Sequence, residues 1–196
     1  MKKSLVIASI VLFAISGCVR SLYPLFTEDD IVFNPALIGT WIETNSKNMW
    51  TFEKKGESEY TLYHYEAEYD IGGGKKVVGD TASFIAQTGI LGQYNFLDIF
   101  PGKPETKIKN SFYNFHLFPL HTISKIWLTG DTLRLSMLDN DWLQRMVDNN
   151  AFKISHARIN DQIVLTASTE ELQQFVLKHA ENARAFPNPV ILHKAK

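Results

Sequence analysis

From Leu37 onward the chain is cut into short runs of apolar, aromatic and β-branched residues, with Gly, Asn, Asp and Pro between them. This punctuation constrains the fold more than any other feature. Runs of this length and make-up read as strands. The candidates are 38–43, 48–54, 59–69, 77–88, 92–100, 111–118, 121–129, 131–138, 153–159 and 162–167. Most gaps are too short for a crossover helix, so successive strands should pair as antiparallel hairpins. Two turns are well marked: Gly130-Asp131 between "KIWLT" and "TLRLS", and Asn160-Asp161 between "HARI" and "QIVLT".

The first of these hairpins can be read by register. With residues 130 and 131 as the loop, Leu128 faces Leu133 and Ile126 faces Leu135, and Met137 continues the same face. Lys125, Trp127, Arg134 and Ser136 take the other. One face is core and the other is wetter. Two helices are expected among the strands. Residues 139–149 (DNDWLQRMVDN) carry Trp142, Leu143, Met146 and Val147 behind an acidic start. Residues 168–186 open with the capping box Ser168-x-x-Glu171 and set Leu172, Phe175, Val176, His179 and Ala183 on one stripe. In that helix Glu170, Gln173 and Gln174 should face water. The expected fold is mainly β: an antiparallel up-and-down barrel of about 8–10 strands, with a short helix and a C-terminal amphipathic helix. Closure removes the exposed edges that so many strands would otherwise offer. A two-sheet sandwich is the alternative.

The first 18 residues are of a different kind. Lys2 and Lys3 precede an almost unbroken apolar run, Leu5–Ile15, followed by Ser16, Gly17 and the sole cysteine, Cys18. This is the layout of a secretory leader, and the run is shorter than the ~20 residues that span a bilayer. Ile15-Ser16-Gly17-Cys18 resembles the lipobox of bacterial lipoproteins. The resemblance implies removal of residues 1–17, a diacylglycerol on the Cys18 thiol and an acylated new amine. Several chains on one residue hold a membrane firmly. Val19, standing where Asp would retain the protein at the inner membrane, implies the outer membrane. Residues 18–36, with two prolines and the acidic trio Glu28-Asp29-Asp30, read as a tether with some apolar residues able to dock on the domain, and 37–196 as one domain. Formal net charge is −1, and loss of Lys2 and Lys3 makes it more negative. That balance does not suit a nucleic-acid binder. With Cys18 consumed by lipid, no disulfide or thiolate metal site is expected.

Gly39-Thr40-Trp41 opens the first strand of the array. It resembles the G-x-W motif that opens the first strand of lipocalins. The resemblance implies an eight-stranded barrel whose floor is closed by Trp41 against an Arg from a late strand, with Arg158 as the first candidate and Arg134 as the second. It also implies a small ligand, and the helix at 168–186 fits the pattern. The segments "PALIGTW", "WTFEK", "LDNDWL" and "VLTASTEELQ" resemble a group of uncharacterised predicted bacterial lipoproteins.

Chemistry is sparsely signalled. His116 and His121 flank "LFPL", where Pro119 forces a corner, and no H-E-x-x-H occurs. "GGGKK" at 72–76 lacks phosphate-loop spacing and reads as a hairpin loop. No G-x-S-x-G elbow is present. Neither a catalytic residue nor a cofactor or metal is therefore expected, and an enzyme of hydrolase type remains only an alternative. It would require His64, Glu66, His116 and His121 to converge. Aromatics crowd the middle strands. Tyr63, Tyr65, Tyr94, Phe96, Tyr113 and Phe115 are candidate lining for a cavity holding a lipid or small amphipathic molecule. The alternative is a filled barrel that works through its surface, with helix 139–149 and Trp142 as the contact element. In an up-and-down order, the connections around 70–76 and 101–110 lie at one end. That places Lys75, Lys76, Lys103, Lys107 and Lys109 together with Lys47, as a rim for anionic headgroups.

Overall fold

The structure, a computed structural model, describes residues 18–70, 76–77, 79–101, 110–151, 153–159 and 162–196. The strands in chain order are β1 (Arg20–Ser21), β2 (Gly39–Glu43), β3 (Met49–Lys55), β4 (Glu59–Tyr65), β5 (Tyr69–Asp70), β6 (Lys76–Val77), β7 (Thr81–Leu91) and β8 (Tyr94–Pro101). After helix α1 (Ser111–Phe115) come β9 (His121–Thr129) and β10 (Thr132–Met137), then α2 (Asn140–Asp148), β11 (His156–Ile159), β12 (Gln162–Leu165), α3 (Thr169–His179) and β13 (Val190–Lys194).

Eight strands close an antiparallel barrel in the order β2-β3-β4-β7-β8-β9-β10-β13, with β13 pairing back to β2. This is the expected up-and-down barrel, and its closure removes the sandwich alternative. Seven of the ten candidate runs supply barrel strands. The eighth barrel strand, β13, lies in "VILHK" behind Pro187 and Pro189, a run not counted among the candidates. The runs 153–159 and 162–167 contain β11 and β12, a hairpin beside the barrel. Residues 111–118 are not a strand. Asn110 caps α1, its side chain accepting from the Tyr113 amide at 2.9 Å, and the chain leaves the helix before Pro119.

The β9–β10 register is the one read from sequence: Leu133 opposite Leu128, Leu135 opposite Ile126, Met137 opposite Ser124. Gly130 sits in the two-residue turn at φ +54°. Extending this alternation round the barrel sends Trp41, Phe52, Tyr60, Leu62, Leu97, Leu133, Leu135 and Leu192 inward, each at most 1 % exposed. Each such side chain contributes about 1.5–3 kcal/mol by leaving water. The interior is therefore packed.

A second core lies outside the barrel wall. There α2, α3 and the β11–β12 hairpin cover the outer face of β8 and β9 with Leu143, Ile163, Leu165, Leu172, Phe175 and Val176 against Phe96 and Ile123. Ser168 caps α3 with the expected reciprocal box to Glu171. The helix stops at His179 rather than Phe186. Lys125 Nζ takes the Ala180 carbonyl at 2.7 Å, and Asn182 folds the chain over, accepting from Arg184 N and Phe186 N. Phe186 then lands on Phe96, ring centres 5.9 Å apart.

Residues 18–37 are docked on the domain through apolar residues, among them Val19, Leu25, Phe26 and Leu37. They form a strap that crosses the barrel. β1 enters between β9 and β12, antiparallel to the first and parallel to the second. Leu25 N donates to the buried Asp98 carboxylate at 2.8 Å. Gln173, expected to face water, instead donates to Leu25 O and Asp30 Oδ2. The strap crosses β7 at Gly89, where a Cβ would stand 2.5 Å from the Phe26 ring and 2.7 Å from Asp30 O. It ends by plugging the barrel: Asn34 exchanges hydrogen bonds with the Tyr60 hydroxyl, and Trp41 Nε1 donates to Leu37 O.

Candidate functional site

The strap closes one end of the barrel and leaves the other to loops. At this loop end lie the turn 44–48, the connection from Tyr65 to Thr81 and the connection from Pro101 to His121. The last two share an end, as the up-and-down order requires. Lys75, Lys103, Lys107 and Lys109 lie outside the described residues. Lys76 is placed in β6 by its backbone, paired with Asp70. Lys47 is exposed in the first turn, at φ +61°.

Cys18 lies at the same end. It bridges to Asp139 just past β10, and its thiol points at the sulfur of Met137, an inward-facing residue. Burial pushes the thiol pKa up. Two residues on, Arg20 stands opposite Thr122 and donates to Gln162 Oε1 at 2.7 Å. Arg20, Phe84, Ile99, Pro101, Phe118, Pro119, Leu120 and Thr122 line a cleft of about 280 Å³ at the barrel mouth. Beyond its rim, Phe112, Phe115 and Phe118 are 73 %, 83 % and 72 % exposed, and Tyr113 and Leu117 are exposed as well. Exposed single apolar residues are ordinary, but five within seven positions are not.

None of the six aromatics named as cavity lining faces the interior. Tyr63 and Tyr65 alternate with the inward Leu62 and His64, and Tyr94 and Phe96 with the inward Leu97. Phe96 is buried, but beneath the helical layer. Tyr94 donates its hydroxyl to Glu181. Tyr113 and Phe115 stand on α1 in solvent. The cause is that these strands are apolar on both faces, one toward the core and the other toward helices or solvent. Trp142, offered as a surface contact, is buried against Phe175.

Trp41 is fully buried at the plugged end, yet no Arg meets it. Arg158 pairs at the surface with Asp148, and Arg134 lies over Trp127. The cation on Trp41 is Lys194, 5.1 Å from the ring centre, which also donates to Ala36 O. β13 puts Lys194 directly opposite Trp41, so the residue comes from the strand that sequence reading missed. Gly39, two positions earlier, holds φ +122° with Lys194 Cε 3.1 Å from where a Cβ would be.

The histidines and Glu66 do not assemble into one cleft. His64 points inward, edge-on to Trp50 at 4.9 Å. Burial lowers its pKa, with Glu43 and Glu66 opposing. His121 points outward, its Nδ1 2.9 Å from Asp98 and its ring stacked on Phe100. His116 folds back on its own helix, at the Phe112 carbonyl. Among the described residues, no three His, Cys, Asp or Glu side chains are grouped to hold a metal, and no helix is long and apolar enough to cross a membrane. Comparison with protein-family models, curated proteins and solved structures gives no match for the chain.

Proposed function

We propose that this chain is a lipid-anchored lipoprotein of the bacterial envelope, held through Cys18 at the outer membrane, whose barrel is a packed scaffold and whose work is done on its outer surface. The observation that carries this reading is the filled interior. Trp41, Phe52 and Tyr60 occupy the space a ligand would need, and Leu37 and the strap stop one end. Ligand pockets commonly span about 300–1,000 Å³, and the cleft at the mouth is about 280 Å³. The filled interior therefore favours the surface reading over a ligand held in the barrel. The lipobox-like Ile15-Ser16-Gly17-Cys18 supports the anchor.

The test is metabolic labelling with a fatty acid, paired with mass spectrometry of organic extracts from gently purified protein. Labelled wild type, unlabelled Cys18→Ser and no stoichiometric extractable ligand are expected. Label surviving in Cys18→Ser would sink the anchor. A bound lipid released in one-to-one ratio would sink the filled-scaffold reading.

A further inference from the structure

We propose that the segment Phe112–Phe118 is a second membrane contact, an aromatic foot that enters the lipid interface beside the acylated Cys18. This inference rests on the anchor reading above. The segment is part of the β8–β9 connection, and its last residues line one cleft with Arg20. β1 is in register with the start of β9, Ser21 opposite His121. Cys18, two residues before Arg20 and bridged to Asp139 just past β10, therefore lies beside the cleft that Arg20 and Phe118 share.

The chemistry of the segment suits that occupant. Its rings are held outward, since α1 is capped by Asn110 and His116 binds back on the Phe112 carbonyl. Aromatic residues favour the boundary between headgroups and acyl chains. From Thr106 to Gly130 the sequence has no Asp or Glu, and Arg20 lines the cleft beside Phe118. An apolar surface with Arg20 at its edge complements an anionic membrane and meets no carboxylate of its own in that stretch. Glu66, Glu68 and Asp80 all belong to the neighbouring β4–β7 connection.

The experiment uses the full chain, isolated from membranes and placed in vesicles of phosphatidylethanolamine and phosphatidylglycerol. Phe115→Cys carries an environment-sensitive fluorophore, and Glu57→Cys, in the turn at the plugged end, carries the same label as control. The probe at 115 is expected to shift to the blue and to be quenched by lipids brominated in their acyl chains, and the probe at 57 to do neither. Phe115 is exposed, so its loss leaves the cores intact. A repeat at Phe112→Cys guards against a purely local effect. Water-like, unquenched emission at both 112 and 115 overturns the foot even when fatty-acid labelling shows the anchor. If instead Cys18 also takes up fluorophore, its thiol was free and the anchor reading fails. The depth measurement is then repeated on Cys18→Ser carrying Phe115→Cys, where bilayer quenching still upholds the foot and its absence overturns it.

Discussion

Gly89→Ala asks whether the strap is truly built into the fold. Gly89 has no unusual backbone angle, so alanine costs nothing in conformation. It should even stabilise by about 0.4–1 kcal/mol through the unfolded chain. The steric term opposes this. The new methyl would stand 2.5 Å from Phe26 Cε1 and 2.7 Å from the Asp30 carbonyl. One of these is backbone, tied through Asp30 to Gln173 and through Thr27 to the capping turn, so it cannot swing aside as a side-chain tip could. Overpacking of this kind costs about 1–3 kcal/mol, which outweighs the entropic gain, and a net loss of about 1–2 kcal/mol is expected. The assay is urea unfolding of residues 18–196 carrying Cys18→Ser, followed by intrinsic fluorescence. Phe26→Ala alone should cost about 3–5 kcal/mol. Combined with Gly89→Ala it should cost less than the sum, because the ring that clashes is gone. An unchanged or raised midpoint in Gly89→Ala, or strict additivity in the pair, would refute the packing of the strap on β7.

Three further outcomes follow from the same contacts. Asp98→Ala should destabilise by about 1.5–3 kcal/mol, since Leu25 N and His121 Nδ1 both lose a charged acceptor. Cleavage within residues 22–30 by a protease at low dose should accelerate with it. Stability should be full above about pH 6.5 and fall below it, because burial holds His64 and His179 below the ordinary value of 6.5 and the unfolded chain therefore takes up protons first. His64→Gln should flatten part of that acid slope in melts between pH 7 and 5, His179 keeping the remainder. Trp41→Ala should cost about 3–5 kcal/mol, and Lys194→Met less, read by chemical denaturation. A Lys194 substitution that outweighs Trp41→Ala would contradict the order of packing over cation–π attraction.

What could be read in the sequence follows from which physical signals are local. The β9–β10 register was legible because a two-residue turn with Gly130 fixes the pairing and one face is plainly apolar. The Ser168–Glu171 box was legible because a helix start is set by four residues. The inward face of β4 and β8 was not. Tyr63 and Tyr65 carry large rings on one face while the polar His64 interrupts the face that carries Leu62, so alternation alone does not say which set meets the core. β13 was passed over because five residues behind two prolines carry little pattern. Its role depends on two strand edges, β2 and β10, lying about one strand's width apart. With β13 went Lys194, and so the partner of Trp41. The exposed ring cluster of 112–118 is visible as composition, but its aromatics read as buried strand because neither alternation nor helical period separates a barrel wall from a short exposed helix over seven residues.

The barrel is joined only at the ends of its chain. β13 pairs Leu192 with Glu43, and β1 pairs Arg20 with Val164. Contacts of such sequence separation form late. Until the last residues are present, β2 and β10 are open edges, and the outer face of β8 and β9 waits for α3. A chain emerging N-terminus first therefore carries an unfinished sheet until β13 is made and cannot complete the barrel strand by strand as it appears. It must be kept from self-association until Lys194 arrives. Loss of the final few residues should consequently be as damaging as loss of a core side chain, although they include only one fully buried residue, Leu192.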